Sequence, residues 1–170
     1  ATYQSLDEAV WLIPLVRAYD LVRGHLPASD RERIESGLLR PAAEHIQSQR
    51  YRTIHNIENW HNAALAAVGF CLDDAELANL AIDAEFGFHR QLAAGVRNDG
   101  LWWEGSSSYH FYALWPLVLL AQICAPVGRD LWRHPRLEQM FRAPLALVLP
   151  DLRLPATNDC WLFSSLLADL

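Results

Sequence analysis

Apolar positions along this chain recur at helical spacing, and no stretch shows the alternation of a half-buried strand. Leu6, Val10, Ile13, Val16 and Tyr19 follow a Ser5–Glu8 pair with capping-box spacing. This predicts an amphipathic helix over about 6–22, kinked at Pro14 and ended by Gly24 and Pro27. Ser29 and Glu32 repeat the capping signal and open a helix to about Gln49, which Pro41 should kink or split. The stretch from Trp60 to Leu72 is small and apolar on every side, as suits a helix buried all round. Residues 73–94 return to an amphipathic pattern behind Asp73 and Asp74. Arg97–Ser108 reads as a loop with an Asp99-Gly100 turn and a Gly105–Ser108 run. Helices are predicted at about 108–125 and 136–149, and a last one from about 160 after a Pro-bounded loop.

The fold class this implies is all-α, built of antiparallel helical hairpins. Helices that lose both faces to packing, beside helices that lose one, call for two layers; an α/α toroid or solenoid provides them, and a simple bundle competes. The inner layer should hold 60–72 and 108–125.

Composition narrows the class. At 170 residues, 52% hydrophobic and 20% charged, the chain can bury a real core. A net charge of −6 argues against a nucleic-acid scaffold, yet a local Arg and His cluster could still hold an anion. Cys71, Cys124 and Cys160 are odd in number, far apart and set in apolar surroundings, so they read as small buried hydrophobes; no metal spacing is present, and no cofactor is expected. Residues 1–20 carry Asp7, Glu8, Arg17 and Asp20, unlike a signal peptide. The apolar stretch near Tyr112–Val127 is broken by Pro116 and Pro126, so no membrane partner is expected. Both ends look cut, which leads us to expect a piece of a longer protein with exposed apolar faces and a tendency to self-associate.

Two segments do not fit the needs of a core. His55-Asn56-Ile57-Glu58-Asn59-Trp60-His61-Asn62 places six polar residues at the start of the most apolar helix, where buried polar groups need partners or a ligand. On a helix His55, Asn59 and Asn62 share a face and His61 points elsewhere; on irregular backbone Asn59 and His61 could converge. Satisfied capping residues are the plain alternative. The second segment runs from Asp99 to Tyr112. Its paired Trp102 and Trp103 suit stacking on sugar rings, and Glu104 and Asp99 can accept hydroxyl hydrogen bonds. Tyr109 and Tyr112 share a helix face, while Phe111, Leu114, Trp115 and Val118 lie on the core face. A packing loop is the alternative.

Trp102-Trp103-Glu104-Gly105-Ser106-Ser107-Ser108-Tyr109-His110-Phe111-Tyr112-Ala113-Leu114 resembles the motif of heparinase II/III-like proteins and oligoalginate lyases. Asn59-Trp60-His61-Asn62-Ala63-Ala64 and Pro155-Ala156-Thr157-Asn158-Asp159 resemble two further segments of that group. The resemblance covers about residues 50–165. It implies that 1–170 is part of an incomplete (α/α) toroid, with further helices and a β-sandwich expected after 170. It implies β-elimination on a uronate-containing polysaccharide or oligosaccharide, alginate- or heparin-like. Tyr109 would then be the acid/base, with Asn59 and His61 neutralising the C6 carboxylate as charge builds on it. Trp102, Trp103, Glu104, His110, Tyr112 and Asn158 would bind substrate. His110 would also be a second-rank aid to Tyr109.

Three rivals stand beside this reading. A glycoside hydrolase needs two carboxylates, for which Asp99 and Glu104 are the nearby pair. A metal site would draw on His55, His61, His89 and His110, without supporting spacing. A non-catalytic carbohydrate-binding helical module would bind without turnover.

Overall fold

The computed structural model describes residues 5–161. Its α-helices are α1 (Leu6–Val22), α2 (Ala28–Ile34), α3 (Arg40–Ser48), α4 (Asn56–Cys71), α5 (Ala75–Ile82), α6 (Phe88–Gly95), α7 (Ser107–Cys124) and α8 (Pro135–Arg142). Among the described residues there is no strand, only an isolated antiparallel bridge between Val96 and Trp102. The all-α expectation holds.

Contacts at matching ends fix the arrangement. Ser5 Oγ, just before α1, lies 2.9 Å from His61 Nε2 near the start of α4. Arg23, just past the end of α1, donates to the Cys71 carbonyl at the end of α4. These two helices therefore run in the same direction. Asn56 opens α4 and bonds Glu104 just ahead of α7, while Trp60 packs on Tyr112 and Trp115. So α7 also runs parallel to α4, which lies between its two neighbours. The chain returns through α2–α3 and α5–α6, and α8 begins a third return after α7. Three helical hairpins result, with the long helices side by side.

The middle position explains the composition of α4. Every residue from Asn56 to Gly69 is buried, and alanines let the neighbours approach. At Gly69 an added Cβ would lie 2.8 Å from Ala78 N of α5. The buried stripe of α1, with Ala9, Leu12, Ile13, Val16 and Tyr19, has the predicted spacing. Cys71 and Cys124 are free and buried, and desolvation pushes their thiols up to about 11 and about 12.

Several expectations change in detail. Neither capping box forms: the Ser5 hydroxyl is turned to His61, and α2 starts behind Pro27 with Ser29 already inside it. Pro41 does interrupt its helix. It has no N–H for an i→i−4 bond, and a π turn over Glu35–Leu39 precedes it. The 73–94 segment splits into α5 and α6, because the turn at Gly87 brings the backbone so close that a Cβ would meet the Ile82 carbonyl at 2.7 Å. The 136–149 helix stops at Arg142 and tightens into a 3₁₀ turn over Ala143–Ala146. The helix expected from about 160 lies outside the described residues beyond Trp161. Ser107–Val127 does meet the length and composition of a membrane span, contrary to the sequence expectation. Core helices share that property, and Ala113, Leu114, Leu117, Leu120 and Ala121 of α7 are buried in the protein.

Trp102 shows the largest departure. It was expected at a cleft and is 0% exposed. Its ring lies over Gly95 so closely that a Cβ there would come within 2.3 Å of it. Gly95→Ala should therefore destabilise the chain by about 1–3 kcal/mol through overpacking. Gly24→Ala, with nothing within 4 Å of the added Cβ, should be nearly neutral. Chemical denaturation of both variants checks the contrast, and equal stabilities would contradict the packing argument.

Candidate active site

The polar start of α4 becomes helical at once. His55 caps it, with Nδ1 accepting from Ile57 N at 3.1 Å, and its own N–H donates to Gln91 Oε1. Glu58 is fully buried and is the most heavily bonded group. Its carboxylate accepts from Arg50 Nε at 2.5 Å and from the backbone N–H groups of Tyr51 and Arg52 at 2.9 and 3.3 Å. Arg50 also donates to Asn62 Oδ1 at 2.9 Å, and Asn62 Nδ2 donates to the Phe86 carbonyl at 2.8 Å. Burial pushes the Glu58 carboxyl up, but contacts with His61 and Arg50 outweigh it and hold it below its ordinary range.

His61 is 0% exposed. Besides its contact with Ser5, its Nδ1 stands 3.5 Å from Glu58 Oε2, close enough for attraction but without hydrogen-bond alignment. Asn59 is 1% exposed, and neither atom of its amide has a hydrogen-bond partner among the described residues. Two residues apart on a regular helix, Asn59 and His61 sit about 200° round from each other. They do not converge.

The loop before α7 is built around Glu104. Its carboxylate accepts from Asn56 Nδ2 at 3.1 and 2.9 Å and from Trp102 Nε1 at 2.6 Å. Trp103 is 47% exposed, so the expected accessibility of the tryptophan pair holds for Trp103 alone. His110 is buried, with Nδ1 accepting from Trp102 N at 3.1 Å and Nε2 donating to the Met140 carbonyl at 3.0 Å. Burial pushes its imidazole down. With both nitrogens held by backbone, His110 braces the loop and is not turned to a cleft.

Ser106 caps α7, its Oγ accepting from Tyr109 N, and Tyr109 stands half-buried in the first turn. A strap formed by residues 155–161 crosses this turn. Ser107 Oγ donates to the Pro155 carbonyl at 2.9 Å, and Ser106 Oγ to the Asp159 carbonyl at 3.2 Å. Thr157 Oγ1 donates to the Gly105 carbonyl at 2.8 Å and Asn158 Nδ2 to the Glu104 carbonyl at 3.0 Å. Gly105 needs both its φ of +71° and its missing Cβ, which would meet Asn158 Nδ2 at 2.6 Å. The Tyr109 hydroxyl donates to Asp159 Oδ2 at 3.3 Å. The Asp159 charge pushes the phenol above its ordinary value, and burial, the hydrogen bond and Glu104 add to this.

A profile of the family described as alginate lyase matches residues 13–153. The chain belongs to the alginate lyase family. It is 39% identical over 126 residues to a protein named alginate lyase from Stenotrophomonas maltophilia. It is 33% identical over 128 residues to a protein named exo-oligoalginate lyase from Saccharophagus degradans. The matched regions take up 70% and 71% of this chain, and 17% of each relative.

In this member of the alginate lyase family, the structure brings Tyr109, Glu104, Asn158 and Asn56 to one end of α4 and α7. Asn59 lies one turn further along α4. Trp102, His110 and His61 are placed in the packing around it. Tyr112 follows Tyr109 on α7 and packs against Trp60 at 5.4 Å. Trp115 is not on the core face: it is 60% exposed and 5.8 Å from Trp60. Trp115, Trp60, Asn56 and Asp159 are neighbours of the site that sequence spacing did not select. Asn56 and Asp159 did lie inside the segments singled out, and the i, i+3, i+6 spacing of Tyr109, Tyr112 and Trp115 was a readable signal for the third.

The buried Arg50–Glu58 pair yields a stability prediction. Glu58→Gln keeps the shape but leaves Arg50 buried without its counter-charge, which should cost roughly 3–5 kcal/mol. Because the folded carboxyl is held below its ordinary value near 4.5, its contribution is complete above that pH. It is lost as pH falls through the lower, folded value. Denaturant unfolding across acid pH should show this loss in the parent and not in Glu58→Gln.

Proposed function

We propose that this chain is part of a polysaccharide lyase that cleaves a uronate-containing chain, alginate-like in class, by β-elimination, with Tyr109 moving the proton. The observation that carries the reading is the shared end of two parallel helices. There a half-buried tyrosine hydroxyl opens α7, and a buried amide without a partner, Asn59, lies in the first turns of α4. A buried amide left unsatisfied costs roughly 1–3 kcal/mol, which a ligand carboxylate could recover. The names of the two relatives support the substrate class. We propose that the hairpins belong to an (α/α) toroid that continues in the whole protein, followed by a β-sandwich.

The chemistry sets the division of labour. The C5 proton of a uronate is weakly acidic while the C6 carboxylate is ionised, so a donor must stabilise the enolate-like charge as it forms. Asn59 is assigned that donation. His61, held between Ser5 and Glu58, is assigned the support of α4 against α1. Tyr109 exchanges a proton with the sugar. Trp103, Tyr112 and Trp115 offer aromatic surface for ring stacking, and Asn158 and Glu104 fix the loop that carries Tyr109.

Two of the rival readings, the glycoside hydrolase and the metal site, lose support. Asp99 accepts from Leu101 N and pairs with Arg97, while Glu104 is committed to Asn56 and Trp102, so the two carboxylates do not flank a common site. The four histidines of the metal reading are separately engaged: His55 as a cap, His61 at Ser5, His110 by backbone, and His89 stacked on His134.

In the full-length protein Tyr109→Phe should abolish formation of the unsaturated uronate product, a loss of ~10²–10⁴-fold or more, while binding persists. Asn59→Ala should reduce kcat by about 10²–10³-fold. Ultraviolet absorbance of the product across a panel of uronate polymers measures both. Parental turnover in Tyr109→Phe would show that the hydroxyl takes no part.

A further inference from the structure

Tyr109 is held by a residue that lies 50 positions along the chain. We infer that Asp159 is a positioning residue for the Tyr109 hydroxyl, carried to it by the 155–161 strap, and that its carboxylate directs the hydroxyl proton in the free enzyme. The inference rests on the reading of Tyr109 as the proton-transferring group.

The strap is tied to the turn that bears Tyr109 at successive points. Thr157 and Asn158 donate to the carbonyls of Gly105 and Glu104, and Ser106 and Ser107 donate to those of Asp159 and Pro155. Trp161 N donates to Ser108 Oγ at 3.2 Å. Asn158 takes the left-handed conformation, with φ of 52°, that lets the strap turn at this point. Gly105 is the matching gap on the other side. These contacts fix the backbone of Asp159 on the first turn of α7, and its carboxylate then reaches the Tyr109 hydroxyl.

A carboxylate can only accept here, so the phenol is the donor and its proton points at Asp159. The charged groups that act on this phenol are Asp159 and, from the loop, Glu104; both disfavour phenolate. Tyr112, one turn on, also stays a neutral phenol, pushed up mainly by burial and next by Asp7. Tyr109 thus meets substrate as a phenol with an oriented O–H and an oxygen lone pair left free. The bond to Asp159 must yield when Tyr109 gives its proton to a leaving oxygen.

Full-length protein labelled with 3-fluorotyrosine tests this by fluorine NMR, the Tyr109 resonance being identified by its loss in Tyr109→Phe. In Asp159→Asn the titration midpoint of Tyr109 should move to lower pH, and Asp159→Glu should move it back toward the parent. Turnover of Asp159→Asn should fall in kcat, with KM nearly unchanged, by less than the ~10²-fold that loss of a proton-transferring group brings. Its alkaline limb should move in the same direction as the NMR midpoint. A Tyr109 midpoint unmoved by Asp159→Asn overturns the inference, whether or not Tyr109 proves essential. Full turnover in Tyr109→Phe overturns instead the reading beneath it.

Discussion

The structure of the site depends on one buried ion pair. Glu58 and Arg50 have side chains 0% and 5% exposed, so neither is relieved by water. Two charges in such a place are tolerated only if their remaining hydrogen-bonding capacity is met. The protein meets it with the Tyr51 and Arg52 amides on one side and Asn62 on the other. The consequence reaches beyond the pair. The segment entering α4 is clamped to the helix it leads into, Asn62 is held on the Phe86 carbonyl of the α5–α6 turn, and His61 sits between Glu58 and α1. With three neighbours fixed in this way, the remaining polar residues of the first turns, Asn56 and Asn59, have defined directions.

A second level of support acts at the loop before α7. Glu104 gathers Asn56 of α4 and the indole N–H of Trp102, and His110 holds the Trp102 amide while reaching the Met140 carbonyl. Trp102 and His110 are therefore packing residues: they set where the loop lies, and the loop sets where Tyr109 lies. Polar groups in this position rigidify only when every member is satisfied. Asn59 is an exception, as are Trp60 Nε1 and His61 Nδ1 next to it on α4, and all three stand beside the satisfied network.

Much of the fold was legible in the sequence because it follows from local spacing. The apolar stripe of α1 and the all-round apolarity of α4 are statements about neighbours three and four residues apart. What failed depended on distant partners. Ser5 has the sequence of a cap, but His61, 56 positions away, takes its hydroxyl. Trp102 reads as a cleft residue beside Trp103, yet only the approach of Gly95 decides that one is core and the other surface. In the site, the Tyr109 motif and the Pro155–Asp159 segment were both recognisable. That they meet, with Asp159 on the tyrosine hydroxyl, is a tertiary fact that no spacing contains. The engagement of Glu58 by Arg50 likewise needed the irregular backbone between α3 and α4, where Arg52 adopts a positive φ.

The parallel run of α1, α4 and α7 has an electrostatic consequence. The peptide dipoles of a helix sum to roughly half a positive charge at its N-terminus. The three long helices place their positive ends together, and the returning helices of the hairpins, ending at Ser48 and Gly95 on the same side, offset part of that field. That end is where Tyr109 stands, flanked by the carboxylates of Glu104 and Asp159. The helix N-termini at this end offset part of the negative charge of those two carboxylates, in a chain whose net charge is −6.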